Sequence, residues 1–431
     1  MSPTAPRSHP RPARPAAERP VRPALTAVVF AAAATALASV LAALPVSTGD
    51  YSVFAPVGVD NAAPAVADLA HFRLAALAAH QPLMGLTSLL VRAPAQALAD
   101  GLGAGSLTAY RLGAIACLIP ACLLASWLVV RSRAGTRRLV GAGAAAIVIL
   151  AGPATRDALA VGHPEEVLAA ALATAAVLAA AQSRHTPAAI LLGAAIGTKQ
   201  WALVAAPCVY VALGDRRVST IVKAGAVGIV LTAALPLADL TAFHAASGVG
   251  GTHYTDAFSA WWPISPRYPG TVGSRSEAHQ LVFGLTRSAA GALFIVLVAA
   301  VAACRVRLAG AMRAVRVDPL ALLALAALVR CVGDPAALKY YFVALTIPLA
   351  TWESAALDRL PIVSALNWIS IALLFSPSVF AGLGPGADNA LVLGWAAALG
   401  VYLFKRALGA PHPVAPSPDR RPLRAVVSDL S

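Results

Sequence analysis

Residues 107–138 read LTAYRLGAIACLIPACLLASWLVVRSRAGTRR. As far as Val130 the stretch is apolar apart from Arg111; the connector that follows carries Arg131, Arg133, Arg137 and Arg138. A helix needs about 20 apolar residues to cross a bilayer, and this run supplies them. The basic connector marks the side on which the helix stops, because Arg and Lys are retained in the cytoplasm. The same pattern recurs outward from this stretch. Connectors 214–217 (GDRR) and 304–316 (CRVRLAGAMRAVR) are also basic. The alternate connectors 46–106, 153–166, 239–282 and 330–339 hold most of the acids and histidines, together with a cluster of aromatic residues in 239–282. Those loops therefore face outward, where a membrane enzyme or receptor meets its substrate.

Composition agrees. Charged residues make up 12% of the 431 and hydrophobic ones 59%, with a mean hydropathy of +0.74. Such a chain cannot cover itself with polar surface, and its long apolar runs predict membrane-spanning helices. The period-two alternation of barrel strands is absent. The net charge of +14 follows from topology and anionic lipid headgroups, since most basic residues fall in cytoplasmic segments, so no nucleic-acid partner is implied. Cys117, Cys122, Cys208, Cys304 and Cys331 lie in or beside apolar spans with no CxxC pair, which predicts neither disulfides nor a metal site.

Along the chain, residues 1–23 read as a disordered basic cytoplasmic tail and 24–405 as one multi-span membrane domain. A second disordered cytoplasmic tail occupies 406–431. The run 24–45 is too long for a signal-peptide core and reads as a retained anchor. Outer loop 46–106 contains two amphipathic stretches, near 62–79 and 83–99, suited to lying at the interface. Spans follow near 107–130, 139–157, 165–182, 218–238, 283–303, 317–332, 340–357, 361–381 and 389–405. Segment 188–213 is too short to cross twice, which takes about 40 residues, yet basic residues flank both of its ends. It reads as a hairpin of two short helices turning at Lys199-Gln200. Broken helices at membrane depth survive only where they are buried or line a polar cavity. The expected fold is an all-α polytopic integral membrane protein of about 12 helices, with two long extracytoplasmic loops, 46–106 and 239–282.

The groups able to do chemistry gather in the outer connectors. Asp50, Asp60 and Asp68 lie beyond the first span, where a carboxylate suits a general base; Asp60 before Asn-Ala-Ala-Pro equally suits a helix cap. Gly-His-Pro-Glu-Glu (162–166) is helix-start chemistry; His163 with the two acids also suits a sugar hydroxyl or a metal ion, although no second ligand pair accompanies them. Lys199, deep in apolar sequence, demands an anion as partner, either a carboxylate of this protein or a ligand phosphate. Trp201 beside it offers a ring to a sugar or an anchor at the interface. The loop GGTHYTDAFSAWWPISPRYPGTVGSRSEAHQ (250–280) brings His253, Tyr254, Trp262, Arg267 and Arg275 together. Aromatic faces with interleaved Arg suit sugars and phosphates, although aromatic belts form at interfaces in any case. In RCVGDPAALKYY (330–341), Arg330, Lys339, Tyr340 and Tyr341 gather around Asp334-Pro335, for anion binding or simple ion pairing.

Taken in order, Asp60, the GHPEE turn, AAILLGAAIGTKQWALVAAP (188–207) and DPAALKYYFVALTIPLATWE (334–353) resemble a C-type (GT-C) membrane glycosyltransferase, most closely glycosyltransferase family 87. The resemblance extends over roughly the apolar body, 24–405. It implies inverting transfer of a sugar, mannose in known members, from a polyprenyl-phosphate donor to a glycolipid or glycan acceptor on the extracytoplasmic face of the cell membrane. A lipid-linked donor needs no nucleotide-binding domain, and neither cofactor nor metal is expected. An aspartate of the first outer loop is the base in that family, which maps onto Asp60; the surrounding sequence departs from the family's, so Asp50 and Asp68 remain alternatives. The resemblance then assigns Lys199, Arg267, Arg275 and Arg330 to the donor phosphate. His163, Glu166, Trp201, His253, Tyr254, Trp262 and Tyr340 are assigned to the sugar and acceptor. The competing reading is a transporter or lipid flippase, which shares broken helices and a buried lysine but works on both faces.

Overall fold

The computed structural model describes residues 64–79, 85–132, 136–214, 216–248, 254–255, 257–264, 280–281, 317–335, 337–355, 357, 360–376 and 385–408. The expected tail 1–23, the span 24–45, the span 283–303 and most of 406–431 lie outside them. So do Asp50, Asp60, His253, Arg267 and Arg275.

At the centre is α7, Pro164–Ala181. Pro164 opens it, where a missing N–H costs nothing and the ring pre-sets the backbone. Its sides are apolar all round, and such a helix belongs in an interior; Val167, Ala171, Ala176 and Val177 are fully buried. Around it pack α4 (Ser106–Arg131), α8 (His185–Thr198), α9 (Ala205–Ala212) and α13 (Val343–Ala355), with α12 (Pro319–Gly333) also in contact. A further helix, α10 (Arg217–Ala238), lies on α8, and α15 (Pro385–Leu408) lies on α12. Segment 136–160 divides at Gly152-Pro153 into α5 (Thr136–Ala151) and α6 (Pro153–Ala160), and α14 (Ile362–Leu374) follows α13.

Among the described residues, five stretches are long and apolar enough to cross a membrane: Leu107–Arg131, Arg137–Ala160, Pro164–Ala181, Arg217–Ala238 and Gly386–Ala407. Shorter apolar helices accompany them. The outer faces are themselves apolar. Val218, Val222, Ile229, Val230 and Leu237 stand exposed along α10, the surface expected against lipid rather than water.

Small residues set the closest packing. A Cβ placed on Gly193 or Gly197 of α8 would lie 2.5 Å from the side chain of Val227 or Leu231 of α10. Glycines four residues apart let two helices approach closely, which is how membrane helices gain dispersion energy where lipid competes for apolar contact.

The expected break at Lys199 is present. Helix α8 ends at Thr198, Lys199 is extended (φ −144, ψ 125), and a 3-10 turn, Gln200–Val204, leads into α9. The two arms part company: α8 lies on α7 and α10, α9 on α7 and α12. The two amphipathic stretches of 46–106 also form helices, α1 (Ala65–Ala70), α2 (Leu74–Ala78) and α3 (Leu86–Gly101). A small second core of Ala65, Leu77, Leu86, Leu89 and Leu235 joins them to the end of α10. Beyond α10 lies α11 (Leu240–Gly248). The one extended pairing among the described residues is two residues long, β1 (Tyr254–Thr255) against β2 (Gln280–Leu281), antiparallel.

Candidate functional site

The chain turns from α6 into α7 through Gly162, whose φ of +90 lies in the region closed to side chains. That turn sends the His163 N–H to Ala158 O at 2.7 Å and brings His163 to the mouth of α7. Glu165 and Glu166 occupy its first turn, where the helix dipole favours anions. Capping does not account for them, since no side chain caps α7. Both carboxylates are buried, at 5% and 2% exposure, and both turn toward α8.

Lys199 meets them there. Its Nζ lies 3.0 Å from Glu165 Oε1 and 3.5 Å from Glu166 Oε1. His163 Nδ1 lies 3.0 Å from the same Glu165 oxygen. Glu166 Oε2 accepts the indole N–H of Trp201 at 2.7 Å. A buried carboxylate must have such partners, because the uncompensated charge costs several kcal/mol. The anion that Lys199 required is thus a pair of carboxylates from this chain.

Arg330, in the last turn of α12, closes the group from the other side. Its guanidinium lies 4.1 Å from the Tyr341 ring centroid and 5.4 Å from that of Trp201, with Asp334 Oδ2 3.8 Å away. The side chain is 10% exposed, and its buried Nη1 meets no hydrogen-bond acceptor among the described residues. The 3-10 turn Lys339–Phe342 holds the rings in place: Tyr340 stacks on His163 at 4.7 Å, and Cys331 Sγ donates to Tyr341 O. Lys339 lies 3.9 Å from Asp157.

The structure therefore unites Lys199, Arg330, His163, Glu166, Trp201 and Tyr340 from the sequence-derived set. Trp262 is buried in the segment 257–264, which docks by Ala260 N on Val332 O at 2.7 Å and by Trp261 Nε1 on Gly333 O at 2.8 Å. That docking puts the segment at the Arg330 end of α12. For Tyr254 only the backbone is described. Asp60, His253, Arg267 and Arg275 lie outside the described residues. Asp68, the alternative acid, is engaged by Arg73 at 2.8 Å.

Glu165, Arg92, Asp334 and Tyr341 join the cluster beyond the residues that the resemblance assigns. The sequence offers Glu165 both helix-start chemistry and ligand binding, and gives Arg92 only a place in an amphipathic stretch. Arg92 is 1% exposed, with Nη1 3.7 Å from Glu165 Oε2. The available signal is its sign: an arginine in a connector that the sequence pattern assigns to the outside runs against the topology rule.

Arg92, Lys199 and Arg330 are matched one for one by Glu165, Glu166 and Asp334. Among the described residues no three His, Cys, Asp or Glu come together as a metal site. The arrangement can hold an anion beside Arg330 and Lys199, and it presents oriented hydrogen-bonding groups to a polar ligand.

Compared with known proteins, the chain matches the family profile described as glycosyltransferase family 87 over residues 85–335. No curated protein and no solved structure matches it.

Proposed function

Because the chain belongs to glycosyltransferase family 87, we propose that it transfers a sugar, mannose in our reading, from a polyprenyl-phosphate donor to a glycolipid or glycan acceptor, with inversion, on the outer face of the cell membrane. Family membership favours transfer chemistry over the carrier reading. The observation that carries the donor class is Arg330: a guanidinium nine-tenths buried, held against two rings, whose Nη1 meets no acceptor among the described residues. A buried unmet donor is costly, and a phosphate oxygen is its natural acceptor.

The mechanism we propose gives each group one task. Asp60 takes the proton of the acceptor hydroxyl as its oxygen attacks the anomeric carbon. The bond from that carbon to the phosphate oxygen breaks, and polyprenyl phosphate departs with the electron pair. Lys199 and Arg330 meet the charge that develops on it. The cluster carries no net charge before substrate binds, so an incoming phosphate needs further cations, and Arg267 and Arg275 of loop 239–282 supply them. His163, Glu166, Tyr340 and the loop residues His253, Tyr254 and Trp262 orient sugar and acceptor. Trp201 acts from behind, its N–H on Glu166 and its ring beside Arg330. We place the whole in a GT-C-like fold of about 12 helices, with both termini cytoplasmic.

The test supplies two labelled donors separately to the purified protein in bilayer discs, polyprenyl-phosphate-mannose and a nucleotide-linked mannose. Label moves into acceptor from the lipid-linked donor alone, and Asp60→Asn abolishes the transfer in folded protein. Transfer from the nucleotide sugar overturns the donor assignment; full activity in Asp60→Asn removes that residue from the base role.

A further inference from the structure

Helix α3 is amphipathic, with an unusual side turned inward. Thr87, Ser88, Arg92 and Gln96 are buried, while Leu90 and Leu98 of the same helix are exposed. Residues four apart share a helix face, so Ser88, Arg92 and Gln96 form one buried polar row. In a membrane protein, polar groups belong inside and leucines outside, and such groups mark working sites more often than packing.

The helix touches the cluster twice. Gly85 at its start is so close to the carbonyls of Gly197 and Thr198 that a Cβ there would collide with them, and Thr87 lies beside Gly197. Both contacts fall on the residues immediately before Lys199. Further along, Arg92 Nη1 lies 3.7 Å from Glu165 Oε2. The other oxygen of that carboxylate serves Lys199 and His163, each at 3.0 Å. Arg92 also lies 5.8 Å from the Tyr110 ring centroid.

We propose that Arg92 is a positioning residue for the donor phosphate, acting through Glu165 on Lys199. This rests on the reading of the site given above. Across 3.7 Å, too long for a hydrogen bond, Arg92 offsets charge at Oε2 and so favours the carboxylate rotamer that gives Oε1 to Lys199 and His163. A planar, permanently charged guanidinium does this where a lysine would readily give up its proton on burial.

The test is a double-mutant cycle read by equilibrium binding of polyprenyl phosphate, together with transfer kinetics, on protein shown to be monodisperse and folded. Arg92→Met raises the Kd for polyprenyl phosphate and the donor KM at least about tenfold, with acceptor KM changed less than about twofold. In a Lys199→Met background the same substitution changes the Kd less than about threefold, because its route is already cut. Equal effects in both backgrounds overturn the inference, as does an unchanged Kd or a loss confined to the yield of folded protein. Wild-type protein that neither binds polyprenyl phosphate nor transfers from any lipid-linked sugar overturns the proposed function, and this inference with it.

Discussion

Lys199 Nζ stands between two buried carboxylates, 3.0 and 3.5 Å away, and its removal leaves both without that charge. Breaking a buried pair on one side costs more than the pair itself contributes. Lys199→Met should therefore lower stability by about 3 kcal/mol, the low end of the usual range because the lysine is 28% exposed. Adding Glu165→Gln should return much of that stability without returning activity. Thermal unfolding in detergent reads the first effect and transfer rates the second. Trp201→Phe keeps the ring but removes the N–H that Glu166 accepts at 2.7 Å; a loss of about 2 kcal/mol is expected for a bond to a buried charge. Lys199 was legible in the sequence because nothing apolar explains a lysine in that run. Arg92 was not, because periodicity shows that a helix has two faces but not which one meets lipid. Glu165 was masked by an adequate simpler account, the preference of acids for helix starts.

Among the elements, α8 carries the most consequence for the site, since Lys199 is its end. Its seating depends on Gly193 and Gly197 against α10. Gly197→Val brings branched carbons into Leu231, and overpacking of this kind costs about 1–3 kcal/mol. The variant should melt earlier and lose transfer more than it loses folded protein, because a displaced α8 carries Lys199 off Glu165. Gly162→Ala should destabilise by roughly 1–2 kcal/mol, as φ of +90 strains any Cβ. The long apolar helices were legible almost to the residue: the span read near 165–182 is α7, Pro164–Ala181. Division at Gly152-Pro153 was less so, although both residues announce it. The separate packing of α8 and α9 was not legible, since a break in sequence does not say where each arm goes.

Across the whole molecule, charged helix ends come together. The start of α7, the end of α8 and the end of α12 meet in the charged cluster. The other end of α12 meets the last turns of α13 and α15, where Asp318 N–H donates to Ala407 O at 3.0 Å and Trp352 Nε1 donates to Asp318 at 2.7 Å. Beside Ala407, Arg406 lies over Tyr402, and at other helix ends Arg131 and Arg217 lie over Trp127 and Tyr210, as arginines do at a membrane boundary. We read those ends as cytoplasmic. Single cysteines test the reading in a Cys304→Ser background, the cysteines Cys117, Cys122, Cys208 and Cys331 being buried. Ser276→Cys should react with an impermeant maleimide on intact cells, and Ala134→Cys only after permeabilisation. The reverse pattern inverts the topology and moves the site to the inner face.

If sugar leaves a polyprenyl phosphate at the Lys199–Arg330 cluster, as we propose, transfer in isolated membranes depends on Lys199. The rate of transfer from polyprenyl-phosphate-mannose by wild type and by Lys199→Ala decides it. Wild type should transfer, and the variant should lose at least about a hundredfold, the scale of removing one oriented charge from a reacting group. Transfer undiminished in Lys199→Ala would exclude this cluster as the place where the phosphate departs.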